Sequence, residues 1–176
     1  MLLTYVFVTM VGLYTAIAAV IDFRLHRIPN YVTVPGAILG LLYHAFMPNG
    51  WGVLTSLAGF AVGFLLLLVP WLLGGGGMGD VKLLAALGAW LGPTYMLVAF
   101  TVSIMMAAVM ALSVLIQVAC TQGVSVAKRR YLSGGIAPQQ KKGRPAKKPT
   151  RVLPFAVPVA MSTWILLAWF VAKGTI

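Results

Sequence analysis

Asp22 and Asp80 are the only acidic side chains in this chain of 176 residues, against 13 Lys plus Arg. A carboxylate at the centre of a bilayer-spanning helix costs roughly 2.5–3.5 kcal/mol on insertion scales, and such residues are functional suspects by default. Two carboxyls that share a proton can act together, one as acid and one as base, as in aspartic proteases. Both sit at the ends of apolar segments. Asp22 follows the apolar run 2–21, where the C-terminal end of a helix dipole disfavours negative charge and makes capping an unlikely role. Asp80 closes the stretch Gly74-Gly75-Gly76-Gly77-Met78-Gly79 and opens the next apolar run, where it either caps a helix or faces a substrate. The dipoles favour the anion at Asp80 and disfavour it at Asp22, which gives Asp80 the base role and Asp22 the initial acid role. Gly77 and Gly79 have no Cβ, so they can adopt positive φ and let a substrate strand approach the backbone.

Other chemistry finds little material. His26 and His44 are the only histidines, and both read as surface residues; His26 lies four residues from Asp22, but two ligands do not make a metal site. The single cysteine, Cys120, excludes an internal disulfide and paired CxxC zinc sites, and reads as a small buried hydrophobe. Neither a metal nor a cofactor is expected.

The elements that must position the two carboxyls are membrane helices. The chain is 61% hydrophobic and 9% charged, with mean hydropathy +0.98, a membrane composition rather than that of a soluble domain. Its runs are continuously apolar, unlike the alternating segments of a transmembrane barrel. The expected fold is all-α, with about six transmembrane helices near residues 2–21, 31–47, 51–73, 81–91, 95–120 and 152–172. The first is long and lacks a basic leader, so it reads as a retained span rather than a signal peptide. Gly92-Pro93 ends the fourth, and the pairs Gly36/Gly40, Gly59/Gly63 and Gly88/Gly92 fit close helix packing.

Nine of the 13 basic residues fall between Lys128 and Arg151, within a loop at 121–151. In a soluble protein this would point to nucleic acid. In a membrane protein it marks a cytoplasmic loop beside anionic lipid, so membrane lipid and not nucleic acid is the expected partner. With Arg24, Arg27 and Lys82, 12 basic residues lie on one side and only Lys173 on the other. That split places both aspartates at the cytoplasmic face of the plasma membrane, with both termini outside. The whole of 1–176 reads as one membrane-embedded domain.

Asp22 with Ile28-Pro29-Asn30, and Gly77-Met78-Gly79-Asp80-Val81-Lys82-Leu83, resemble the two signatures of the type IV prepilin peptidases, which are G-x-G-D intramembrane aspartyl proteases. The resemblance covers both motifs and the six-span layout. It implies that Asp22 and Asp80 are catalytic and that Gly77, Gly79 and Lys82 bind substrate or support the motif. It also implies cleavage of a leader from pilin-like precursors at the cytoplasmic membrane face. Bifunctional members carry an N-terminal region with cysteine pairs and methylate the new pilin end. The first span here starts at Leu2 and there is one cysteine, so the chain is similar to the short, peptidase-only type of Tad/Flp pilus systems or archaeal preflagellin peptidases, and no methyltransferase activity is expected.

Two other classes compete. A small transporter or proton channel could use two buried carboxylates as a relay, but would spread them through the membrane depth. An assembly protein could work through the basic loop, but leaves the aspartates unexplained.

Overall fold

No water reaches the backbone in hydrocarbon, so continuous apolar runs fold as helices that satisfy their own N–H and C=O groups. The computed structural model describes residues 2–25, 28–47, 52–73, 77–122 and 155–173. The described residues form helices and no strand: α1 (Leu2–Leu25), α2 (Asn30–Phe46), α3 (Val53–Leu72), α4 (Met78–Gln122) and α5 (Ala156–Lys173). α4 is broken at Gly92, where φ 71° and ψ 173° suit a residue without Cβ, and Pro93 follows. It therefore has two arms, 78–91 and 93–122, and the six segments read from the sequence reappear as helical rods. Four stretches are long and apolar enough to cross a membrane: Leu3–Leu25, Val53–Leu72, Met78–Gln117 and Ala156–Lys173. The chain is an all-α polytopic membrane protein.

Two boundaries move the aspartates. α1 continues to Leu25, so Asp22 lies within its last turn rather than beyond its end. α4 starts at Met78, so Asp80 lies in its first turn rather than at its cap. His26, Arg27, Gly74–Gly76, the 48–51 turn and the basic segment 123–154 lie outside the described residues.

The chain divides into two compact units, Met1–Ile104 with Pro154–Ile176, and Met105–Leu153. In the second, described residues 105–122 continue the second arm of α4, and Cys120 is exposed there rather than buried. An apolar residue of a membrane helix can face lipid as readily as protein, which a soluble-protein expectation of burial misses.

The first unit is built around the first arm of α4. Val81, Leu83–Leu87 and Ala89–Leu91 are each 2% exposed or less. α3 reaches that arm through glycine: a Cβ on Gly59 would overlap the carbonyl of Gly88, and one on Gly63 the carbonyl of Leu84. Gly40 of α2 faces Trp90, and Gly36 receives the ring of Tyr14 from α1. The small-residue spacings thus place backbones in contact, as helices in lipid favour. α1 packs along α5, and Trp164 of α5 donates through Nε1 to Thr15 Oγ1 of α1 at 3.0 Å.

Candidate active site

The site forms where α1 ends and α2, α4 and α5 begin. Pro29 restricts the residue before it to extended backbone. Pro29 itself is extended (φ −77°, ψ 152°), and Ile28 is held outside both helices. Ile28 lies against Gly79: a Cβ there would sit 3.3 Å from Ile28 N and 3.4 Å from its Cβ and O. Gly79 therefore lets the I-P-N segment approach the start of α4. Three residues further along α4, Lys82 Nζ donates to Asn30 Oδ1 at 2.9 Å, a second tie between the two motifs. Ala18, Ile28, Leu83 and Ala156 close a small buried cluster beneath these contacts, with Tyr14 packed on it.

The two carboxyls lie at this end of the bundle, Asp22 fully buried and Asp80 5% exposed. The Asp80 N–H bonds to Gly77 O at 3.0 Å, which opens α4. Asp22 Oδ2 accepts the backbone N–H of Ala156 at 3.0 Å, across 134 residues of sequence. Its other oxygen, Oδ1, is buried without a hydrogen-bond partner among the described residues.

The structure thus brings Asp22, Asp80, Gly77, Gly79 and Lys82 to one end of the bundle. Gly79, within the first turn of α4, does not adopt a positive φ. The missing Cβ of Gly79 serves Ile28, so its first use is to join the motifs. The dipole reading of Asp22 was incomplete as well. The carboxyl belongs to the last turn of α1 but accepts the first N–H of α5, a helix that the dipole reading leaves out. Ala156 was missed because nothing local in the sequence couples residue 156 to residue 22.

The opposite end of the first arm is also polar. Pro93 has no N–H to offer the carbonyl of Ala89, four residues back; Ser56 Oγ of α3 donates to it at 2.6 Å. His44 Nε2 donates to Trp90 O at 2.8 Å, and Trp90 Nε1 donates to Gly36 O at 2.8 Å. Phe7, Tyr43, His44 and Trp90 pack ring on ring there. His44, expected at the surface, is 5% exposed. A helix break inside the bundle needs donors, and an imidazole supplies one. Among the described residues no group of three or more His, Cys, Asp or Glu is placed to hold a metal.

A model of the type IV leader peptidase family matches residues 7–112, a stretch that contains both aspartates. The chain belongs to the type IV leader peptidase family. Among curated members, a prepilin leader peptidase/N-methyltransferase of Dickeya chrysanthemi is 41% identical over 87 residues, covering 46% of this chain and 30% of the relative. One of Neisseria gonorrhoeae is 42% identical over 78 residues, covering 41% of this chain and 27% of the relative. The chain thus matches less than a third of the length of these leader peptidases. No solved structure gives a significant match.

Proposed function

We propose that this chain is an intramembrane aspartyl endopeptidase that removes the leader of pilin-like precursors. The observation that carries the reading is the joining of the two motifs. Ile28 against Gly79 and Asn30 against Lys82 bring a buried Asp22 and a buried Asp80 to the same end of one bundle. In the proposed step one carboxylate takes a proton from water, and the hydroxide formed attacks the scissile carbonyl. The other carboxyl donates its proton to the carbonyl oxygen. Collapse of the tetrahedral intermediate expels the amine, which takes up a proton from the pair. The two groups supply both proton functions, so the step needs no metal or cofactor.

The basic-residue split supports a plasma-membrane location with the site facing the cytoplasm and both termini outside. The first arm of α4, residues 78–91, is about 21 Å long, shorter than a hydrocarbon core of about 30 Å. This supports placing Asp80 below the membrane surface in a cavity that water reaches, where a precursor's apolar helix unwinds. The basic loop is read as a lipid-contacting tether within one peptidase domain. Among these residues there is one cysteine, so the cysteine-pair region of bifunctional members is not contained in them, and the peptidase step alone is assigned to this chain. A proton relay is the weaker reading, because both carboxyls stand at one end of the bundle instead of along it.

Incubation of the purified chain with a pilin-like precursor in detergent or nanodiscs tests the proposal. Release of the leader at a single bond, lost in both Asp22→Asn and Asp80→Asn, is the expected result. Proton flux across proteoliposomes without any cleavage would favour the relay.

A further inference from the structure

We propose that the backbone N–H of Ala156, at the start of α5, is a positioning group of the peptidase site: it fixes one oxygen of Asp22 so that the other faces the reaction. The inference rests on the peptidase reading above and extends it to a helix beyond the stretch matched by the family model, which stops at residue 112.

Ala156 is the first residue of α5, and the first N–H groups of a helix have no partner within it. Pro158 has no N–H to satisfy, and the N–H of Val159 bonds back to Phe155 O at 3.5 Å. The N–H of Ala156 goes to Asp22 Oδ2 at 3.0 Å, in a place where both residues are buried, at 1% and 0% exposed. The same carboxyl keeps Oδ1 buried and without a partner among the described residues. A wholly structural cap would have no reason to leave half of a buried carboxyl unmatched, since an unpaired buried polar atom is costly. One oxygen held and one left open is the arrangement that a proton-transferring carboxyl needs, because rotation about its terminal torsion is otherwise broad. The Ala156 side chain packs against Ala18, Ile28 and Leu83, so the donor is fixed to both motifs at once. At this end of the surrounding helices the other charged or titratable side chains include Tyr14 and the exposed Arg24 on α1, Tyr31 on α2, and Asp80 and Lys82 on α4, while Tyr5, Tyr43, His44, Tyr95 and Cys120 lie further along those helices. The only charged residue of α5, Lys173, stands at its far end.

The test removes the N–H without touching the carboxyl. Proline is favoured at the first position of a helix, so A156P should preserve α5 while deleting the donor. A156G keeps the donor and serves as the conservative variant. The expected result is a fall in kcat of roughly ten- to a hundredfold in A156P, with KM little changed and near-normal kcat in A156G. An independent readout uses [4-13C]aspartate labelling, since the chain has only two aspartates; Asp22→Asn and Asp80→Asn assign the two carboxyl signals. The Asp22 signal should move in A156P and stay in A156G, whether or not the protein cleaves a precursor. If A156P does not fold, [15N]alanine labelling replaces it: the Ala156 amide signal should move in Asp22→Asn and not in Asp80→Asn. An unmoved Asp22 carboxyl in folded A156P, or an unmoved Ala156 amide in Asp22→Asn, overturns the contact. A moved carboxyl with unchanged kcat leaves the contact intact but overturns its positioning role. Absence of cleavage by the wild-type chain would strike the peptidase reading alone.

Discussion

The first arm of α4 has two polar ends, and they are finished differently. At the Gly92 break, Ser56 and His44 donate to the carbonyls of Ala89 and Trp90, and the indole of Trp90 bonds Gly36. What remains unmatched there among the described residues is neutral: the hydroxyls of Tyr43 and of Tyr14, which lies against Gly36. At the Asp80 end a carboxyl oxygen of Asp22 has no hydrogen-bond partner among the described residues, and the side chain of Asp80 is buried as well. Burying an unpaired neutral hydroxyl costs a few kcal/mol at most, whereas an unpaired carboxylate costs far more. The contrast fits the proposed reading, in which the closed end is a structural joint and the open end a chemical one.

Removing the two acidic groups at the open end should give the largest effect on function and almost none on folding. Asp22→Asn and Asp80→Asn are each expected to reduce cleavage by roughly a thousandfold or more, since an amide cannot exchange the proton. The double variant should be no worse, because groups acting as one unit are non-additive. Cleavage assays beside thermal melts of each variant check this, and near-normal turnover in either single variant would end the pair as a unit.

Gly79→Val comes next. A Cβ at Gly79 meets Ile28 at 3.3–3.4 Å, so a methyl fits with a small adjustment while the extra branches of valine do not. Overpacking of this kind costs about 1–3 kcal/mol. It falls on the joint between the motifs, so cleavage should drop by roughly tenfold or more with both carboxyls intact. Gly79→Ala should be nearly silent. Equal rates for valine and wild type would remove the Ile28 contact from the account of the site.

The sequence carried much of this because the decisive signals are local or compositional. Continuous apolar runs dictate membrane helices, Gly92-Pro93 dictates a break, and two lone carboxyls announce themselves by their cost. What was not legible depends on which rods touch. His44 reads as an ordinary polar residue until α4 is seen to break against α2. Ser56 gives no signal before its carbonyl partner is known. Ala156 is invisible because its contribution is a main-chain N–H, which every residue but proline possesses. The dipole argument for Asp22 counts the helix that carries the residue and not the helix that meets it, for the same reason.

The closed end should answer to mutation in the opposite sense. Ser56→Ala and His44→Ala each leave a buried carbonyl without its donor, at a cost of about 1–3 kcal/mol. Stability in a reversible denaturant series should fall by that amount. The kcat of the protein that remains folded should stay within about threefold of wild type, under ~1 kcal/mol of barrier. A variant of this end that lost turnover without losing stability would erase the distinction between the two.

The smallest effect is expected at the tie between Lys82 and Asn30, and it tells how the open end is held. The bond joins a cation to a neutral amide at 2.9 Å in an exposed setting, so water competes for both groups. Lys82→Met keeps much of the side chain's bulk and removes the donor, and Asn30→Ala removes the acceptor. Each should lower cleavage less than about tenfold, within ~1.4 kcal/mol. Made together, they should be no worse than the more damaging single change, because either one already breaks the bond. Full additivity would mean that the two side chains act separately, with Lys82 meeting the precursor directly. The Ile28–Gly79 contact and the buried cluster of Ile28 and Leu83 would then hold the two motifs together, and the Gly79→Val effect should grow in the Lys82→Met background only if the bond is real. Measuring that background dependence therefore decides whether the Lys82–Asn30 bond is one of the joints between the motifs.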